Sequence, residues 1–196
     1  MKRGQHHGSL REALIDAAFH LLDAGGVEAV TIRAVARHAG VSHAAPINHF
    51  PDLRALITAV AARCFENLLG AARAARDARS DAYGRLEGFV DGYIGYALAH
   101  PDRYRMMWRM DILDAGDPVL DGLVNGLYGD VEEMVAALPQ PTRRIDPTTV
   151  VIALSSLVHG YASMRIDRNF IPASDAVTGQ PRQHVMLKVA LGLPTD

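Results

Sequence analysis

The stretch Thr31-Ile-Arg-Ala-Val-Ala-Arg-His-Ala-Gly-Val-Ser-His-Ala-Ala-Pro-Ile-Asn-His-Phe50 reads as two short helices joined by a glycine corner. Thr31 supplies a capping hydroxyl, and Ile32, Val35 and Ala36 then fall on one face at helical spacing. Gly40 stands just past that helix, where the chain enters a left-handed conformation that carries no Cβ penalty for glycine. Val41 plugs the core under the turn, Ser42 caps the second helix, and Phe50-Pro51 closes it. Pro46 falls at about the fourth position of that second helix. Its missing N–H removes only the first bond of the ladder there, so the spacing predicts that the helix survives it. A helix pair with this corner is the arrangement that lays its second helix in the major groove of DNA.

Outward from this pair the pattern is helical throughout, about nine helices with no convincing strand or repeat, which places the chain in the all-α class. Ser9 starts a first helix carrying Leu10, Leu14, Ala18, Leu21 and Leu22, stopped by Gly25-Gly26. A long alanine-rich helix follows from Asp52 to about Ala78. Further helices carry Leu86 to Ala97, Asp102 to Leu113, Pro118 to Leu138, Pro147 to Met164 and about Pro181 to Leu191. Gly122, Gly126 and Gly129 each cost roughly 1 kcal/mol in a helix interior, so a close neighbour or ligand is expected beside them.

The 196 residues suffice for one or two small domains with a substantial core. No uncharged apolar run reads as reaching the roughly 18 residues of a membrane span, and the polar start Met1-Lys-Arg-Gly-Gln-His-His-Gly is no secretory signal. A cytoplasmic protein without a membrane partner is the expectation. The single cysteine, Cys64, allows neither an internal disulfide nor a multi-thiolate zinc site, and its place in the pattern Val60, Cys64, Leu68 reads as a buried, inert thiol. No metal or cofactor is implied. Catalytic signatures are missing as well, and Glu132-Glu133 reads as solvated surface charge. The net charge of −2 exerts no general pull on nucleic acid, although residues 1–55 carry a net +1 and six of the nine histidines.

In the second helix of the pair, Ser42, His43, Ala44 and Ala45 lie closest to a groove floor, and none is Arg or Lys. Readout then rests on hydroxyl, imidazole and methyl contacts. Phosphate contact is expected from Thr31, Arg33, Asn48, His49 and Arg54, with Arg37 one turn beyond Arg33. Lys2, Arg3, His6 and His7 are either an arm into a groove or an inconsequential end. Later in the chain, Tyr93, Tyr96, Tyr104, Met107, Trp108, His159 and Met164 supply aromatic, soft and imidazole groups of the kind that line an effector pocket, or else a core.

From His6 to about Phe65 the chain resembles the DNA-binding domain of TetR-family transcriptional regulators. His6-His7-Gly8-Ser9-Leu10-Arg11 and Gly40-Val41-Ser42-His43-Ala44-Ala45-Pro46 are similar to a subgroup whose C-terminal domain carries a Trp-plus-His-Gly pattern. Val158-His159-Gly160 matches its second part, while Ser155 stands where the tryptophan would be. The resemblance implies a division into a DNA-binding domain, 1–51, and an effector-binding and dimerisation domain, 52–196. It implies a homodimer on a pseudo-palindromic double-stranded operator, a small-molecule effector that releases it, and repression as the outcome. It also places the dimer interface in the last long helices, here with Val151, Leu154, Val158, Met186 and Val189. Two departures stand out: Ile47 occupies a position where relatives commonly carry tyrosine, and Leu53 one where they carry lysine. The absence of both polar groups leaves open a lipid or hydrophobic-metabolite binder of the same fold that has abandoned DNA.

Overall fold

The computed structural model of the protein describes residues 5–138, 145–169 and 173–195, with side chains from residue 10 onward. Among the described residues there are eight α-helices, two single-turn 3₁₀ helices and one isolated bridge, between Ser174 and Pro181. The helices are α1 (Gln5–Gly25), α2 (Ile32–His38), α3 (Leu53–Asp77), α4 (Ala82–Ala99), α5 (Pro101–Met107), α6 (Pro118–Ala136), α7 (Pro147–Ile166) and α8 (Arg182–Leu191). Six start where a side chain or proline dictates: Thr31 accepts from the Ala34 N–H at 3.1 Å before α2 and Asp81 from Gly84 at 2.7 Å before α4. Asp52 accepts from the Ala55 N–H at 2.8 Å, Asp117 from Leu120 at 2.8 Å and Asp146 from Thr149 at 3.2 Å, while Pro101 opens α5. The first helix begins at Gln5, four residues before the expected Ser9.

The expected ninth helix is the second member of the pair, and it is not an α-helix. An α-helix would need residue 46 to donate to the Ser42 carbonyl, and proline has no N–H to give. That carbonyl accepts from Ala45 at 3.0 Å instead, and the chain continues through Asn48→Ala45 at 3.3 Å and His49→Pro46 at 2.9 Å. The segment is therefore a turn followed by a 3₁₀ helix over Pro46–Asn48, tighter than the sequence pattern predicts.

The chain divides into two compact units. The first comprises residues 1–66 and 100–123. Its core holds Leu14, Ile15, Ala18, Phe19 and Leu22 from α1, Val35 and Ala36 from α2, Phe50, and Leu56, Val60, Cys64 and Phe65 from α3. Tyr104, Met107 and Leu113 complete it. Arg103 on α5 lies 4.4 Å over the Phe19 ring and donates to Asp23 at 2.8 Å. The helix expected from Asp102 to Leu113 ends at Met107. The turns beyond it are held by α3: Arg54 donates to the carbonyls of Leu113 at 2.7 Å and Asp111 at 3.1 Å, and buried Thr58 accepts from the Asp114 N–H at 2.9 Å.

The second unit comprises residues 67–99 and 124–196. A Cβ added at Gly88 would lie 2.4 Å from the Ala75 carbonyl oxygen, and one at Gly92 would lie 2.5 Å from that of Ala71. Only glycine permits that approach of α4 to the end of α3. Among the described residues no close neighbour stands beside the α6 glycines, against the expectation: none lies within 4 Å of a Cβ added at Gly122 or Gly129, and Gly126 meets only the end of Arg73. Asp130 draws Arg73 at 2.7 Å and Arg76 at 3.2 Å, fixing α6 on α3. At the other end His184 of α8 sets Nε2 2.8 Å from Asp91 Oδ1, and the Gln183 amide donates to the same oxygen at 3.0 Å.

Two helices have windows apolar enough to cross a membrane by length and composition, against the expectation from the sequence. Leu53–Asp77 has mean hydropathy 1.3 with 61% of its window buried within the chain, and Pro147–Ile166 has 1.2 with 28% buried. The first is a core helix by that burial. The second packs Val151, Leu154, Val158 and Tyr161 inside its unit and leaves Ile152 and Met164 outside.

Candidate nucleic-acid interface

The surface around residues 31–48 is built by three local devices. The Thr31 hydroxyl accepts from the Ala34 N–H at 3.1 Å and fixes the start of α2. Gly40 takes φ +69°, and Val41 donates back to the Ala36 carbonyl at 3.0 Å, which turns the chain off the end of α2. Beyond it the 3₁₀ turns pin buried Pro46 and Phe50 against the core. What remains outward is Ser42, His43, Ala44, Ile47 and Asn48, all exposed, with Ala45 half-buried.

Of the residues predicted to touch DNA, Thr31, Arg33, Ser42, His43, Ala44 and Asn48 lie on this exposed surface, and Arg37 is exposed one turn along α2 from Arg33. Three are placed differently, the first being Ala45, which is half-buried. His49 is half-buried and lines a cleft of about 270 Å³ with Arg11, Thr58, Arg63 and Asp117. Arg54 is solvent-reached, yet its guanidinium is engaged by the Leu113 and Asp111 carbonyls. No local pattern could signal those acceptors, because they lie more than fifty residues away. Lys2, Arg3, His6 and His7 lie outside the described side chains.

The aromatic and sulfur-bearing set falls in both units. In the first, Tyr104 and Met107 are fully buried, and Trp108 meets the Phe65 ring edge-on at 5.1 Å. In the second, Tyr93 and Tyr96 are buried, His159 is half-buried, and Met164 is exposed. Burial holds the His159 imidazole below its ordinary pKa of 6.5. Among the residues assigned to pairing of copies, Val151, Leu154 and Val158 face the interior of their own unit. Met186 is half-buried, and Val189 is 67% exposed. The large outward apolar groups of α7 and α8 are Ile152, Met164 and Val189, which the sequence periodicity could not single out because α7 mixes apolar and small polar residues on every side.

Residues 14–60 match the family described as bacterial regulatory proteins, tetR family, and residues 86–180 match the tetracyclin repressor-like C-terminal domain. An uncharacterized HTH-type transcriptional regulator of Mycobacterium tuberculosis is 32% identical over 127 residues, covering 62% of this chain and 55% of that protein. The chain thus matches about half the length of that relative. A solved protein of unknown function from Rhodococcus sp. RHA1 has a TM-score of 0.74 at 26% identity, over 96% of this chain and 95% of its own. A regulatory protein of the tetR family from Rhodococcus RHA1 shares the fold at TM-score 0.66 and 18% identity, over 94% of this chain and 96% of its own.

Proposed function

The chain belongs to the TetR family of DNA-binding transcriptional regulators, and from that premise we propose that it is a cytoplasmic homodimeric repressor, released from a pseudo-palindromic operator by a small-molecule effector. Regulators of this family are not enzymes, and no residue is given a catalytic role. Residues 1–51 act as the DNA-binding domain and residues 52–196 as the effector and dimerisation domain. The observation that carries the reading is the exposed set Ser42, His43, Ala44 and Asn48 on the turn that follows Gly40, with Thr31 and Arg33 beside it for phosphate. Two such elements must sit roughly 34 to 36 Å apart to enter successive major grooves, which requires two copies about a two-fold axis.

The second copy is supported by α7 and α8. Ile152 and Val189 are 57% and 67% exposed, and a groove lined by Leu157, Val185, Met186, Val189 and Ala190, with the paired Asp175 and Arg182 at its side, lies along the two helices. An apolar face of this kind is covered in a stable dimer by its symmetry mate. The effector acts by preferring one spacing of the DNA-binding domains. A coupling of roughly 1 to 3 kcal/mol changes operator affinity about 5- to 150-fold.

The test is binding of the full-length protein, at low salt, to duplex from its own upstream region, repeated with His43→Ala plus Asn48→Ala. Wild-type binding that the double variant loses supports the reading. Binding undiminished in the double variant overturns the site assignment, and no wild-type binding at any salt favours the metabolite-binding alternative.

A further inference from the structure

We infer that Ile47, with Ala44, reads thymine methyl groups and is a specificity-determining residue of the operator interface; this rests on the DNA-binding reading above. Ile47 is 60% exposed, in the 3₁₀ helix of the element that the DNA-binding reading turns toward the groove. Burial sorts the side chains of this element: Pro46 is buried and Ala45 half-buried, so Ala44 in the turn and Ile47 in the 3₁₀ helix are its outward apolar groups, with Ser42 and His43 before them and Asn48 after them, all exposed.

The chemistry of the partner follows from what the element lacks. No Arg or Lys stands between Arg37 and Arg54, so the bidentate pairing that reads guanine is unavailable to it. A branched aliphatic side chain cannot satisfy a phosphate oxygen or a base-edge donor. In the major groove, the 5-methyl of thymine is the apolar group that distinguishes one base pair from another, and aliphatic contact is how proteins read it. An isoleucine held out at this position gains affinity only where such a methyl meets it. The operator half-site is accordingly expected to place a thymine under Ile47, and Asn48 and His43 supply the hydrogen-bonded part of the readout.

The experiment uses the full-length protein to enrich duplexes from a randomised pool, then replaces each thymine of an enriched duplex in turn by deoxyuridine, which deletes only the methyl. Affinity is read by fluorescence anisotropy for wild type, Ile47→Ala and Ile47→Val. The expected result is one thymine position per half-site at which deoxyuridine weakens wild-type and Ile47→Val binding about fourfold, roughly one buried methyl, and leaves Ile47→Ala unaffected. Tight wild-type binding with no methyl-sensitive thymine overturns the inference. So does a sensitive thymine that stays equally sensitive in Ile47→Ala. Failure to enrich any duplex overturns the DNA-binding reading itself and this inference with it, a result distinct from binding that ignores methyl groups.

Discussion

Replacing Arg54 by alanine separates two roles that the sequence could not distinguish, a phosphate contact and a structural staple. The guanidinium donates to the Leu113 carbonyl at 2.7 Å in a part-buried setting and to the Asp111 carbonyl at 3.1 Å in an exposed one. Hydrogen bonds from a charged donor contribute about 1.5 to 3 kcal/mol each when sheltered, and the exposed one falls to the lower end of the ordinary 0.5 to 1.5 kcal/mol. A loss of about 2 to 3.5 kcal/mol follows. For a chain of this length each kcal/mol moves Tm by roughly 2 to 4 °C, so the variant should melt about 4 to 14 °C below wild type. Arg54→Lys keeps the charge but loses the fork that reaches two carbonyls, and should recover little of the difference. The second readout is the slope of log Kd against log salt on a fixed duplex. Substituting a residue bonded to the protein's own backbone leaves that slope unchanged, whereas removing a cation that neutralises one phosphate lowers it by about 0.9. An unchanged Tm together with a slope reduced by about one would refute the staple.

Other perturbations test neighbouring parts of the account. Thr31→Ala removes the cap of α2, whose hydroxyl lies 3.1 Å from the Ala34 nitrogen; it should cost about 1 kcal/mol by chemical denaturation and weaken duplex binding, while Thr31→Ser should restore both. Ile152→Asp combined with Val189→Asp places charge on the outward faces of α7 and α8, and should convert a dimer to a folded monomer by analytical ultracentrifugation with helicity retained. Because burial depresses the folded-state pKa of His159, the unfolded chain takes up the proton first as pH falls. Stability should therefore be full above about pH 6.5 and decline below it toward the lower folded value, and His159→Asn should flatten thermal melts across pH 5 to 7.5.

The helices themselves are legible in the sequence because their signals are local. Proline, aspartate and glycine at the ends, with apolar residues at periods of three and four, place α3, α6 and α7 within a few residues. The Gly40 corner is equally clear, since its left-handed φ is a demand on one residue. Pro46 is just as visible, but its effect exceeds the single missing bond that the pattern predicts. The Ser42 carbonyl finds its partner one residue earlier, and the element becomes a turn followed by a 3₁₀ helix over Pro46–Asn48. Non-local features are out of reach. Arg54 reads as a surface cation until the turn at 111–114 arrives beneath it, and Gly88 and Gly92 look less suggestive than the three glycines of α6 until the backbone of α3 is set against them. The outward side of α7 is hidden for a different reason, because a helix that mixes apolar and small polar residues on all sides carries no periodic mark of which face is left uncovered.

The central claim is that two copies present the turn from Ser42 to Asn48 to successive major grooves, and hydroxyl-radical footprinting of the full-length protein on an enriched duplex tests it most directly. The account predicts two protected tracts related by two-fold symmetry, with centres about 10 base pairs or a multiple of that apart, and their joint disappearance in His43→Ala plus Asn48→Ala. A single tract, or protection spread evenly along the duplex and untouched by that double variant, would contradict it.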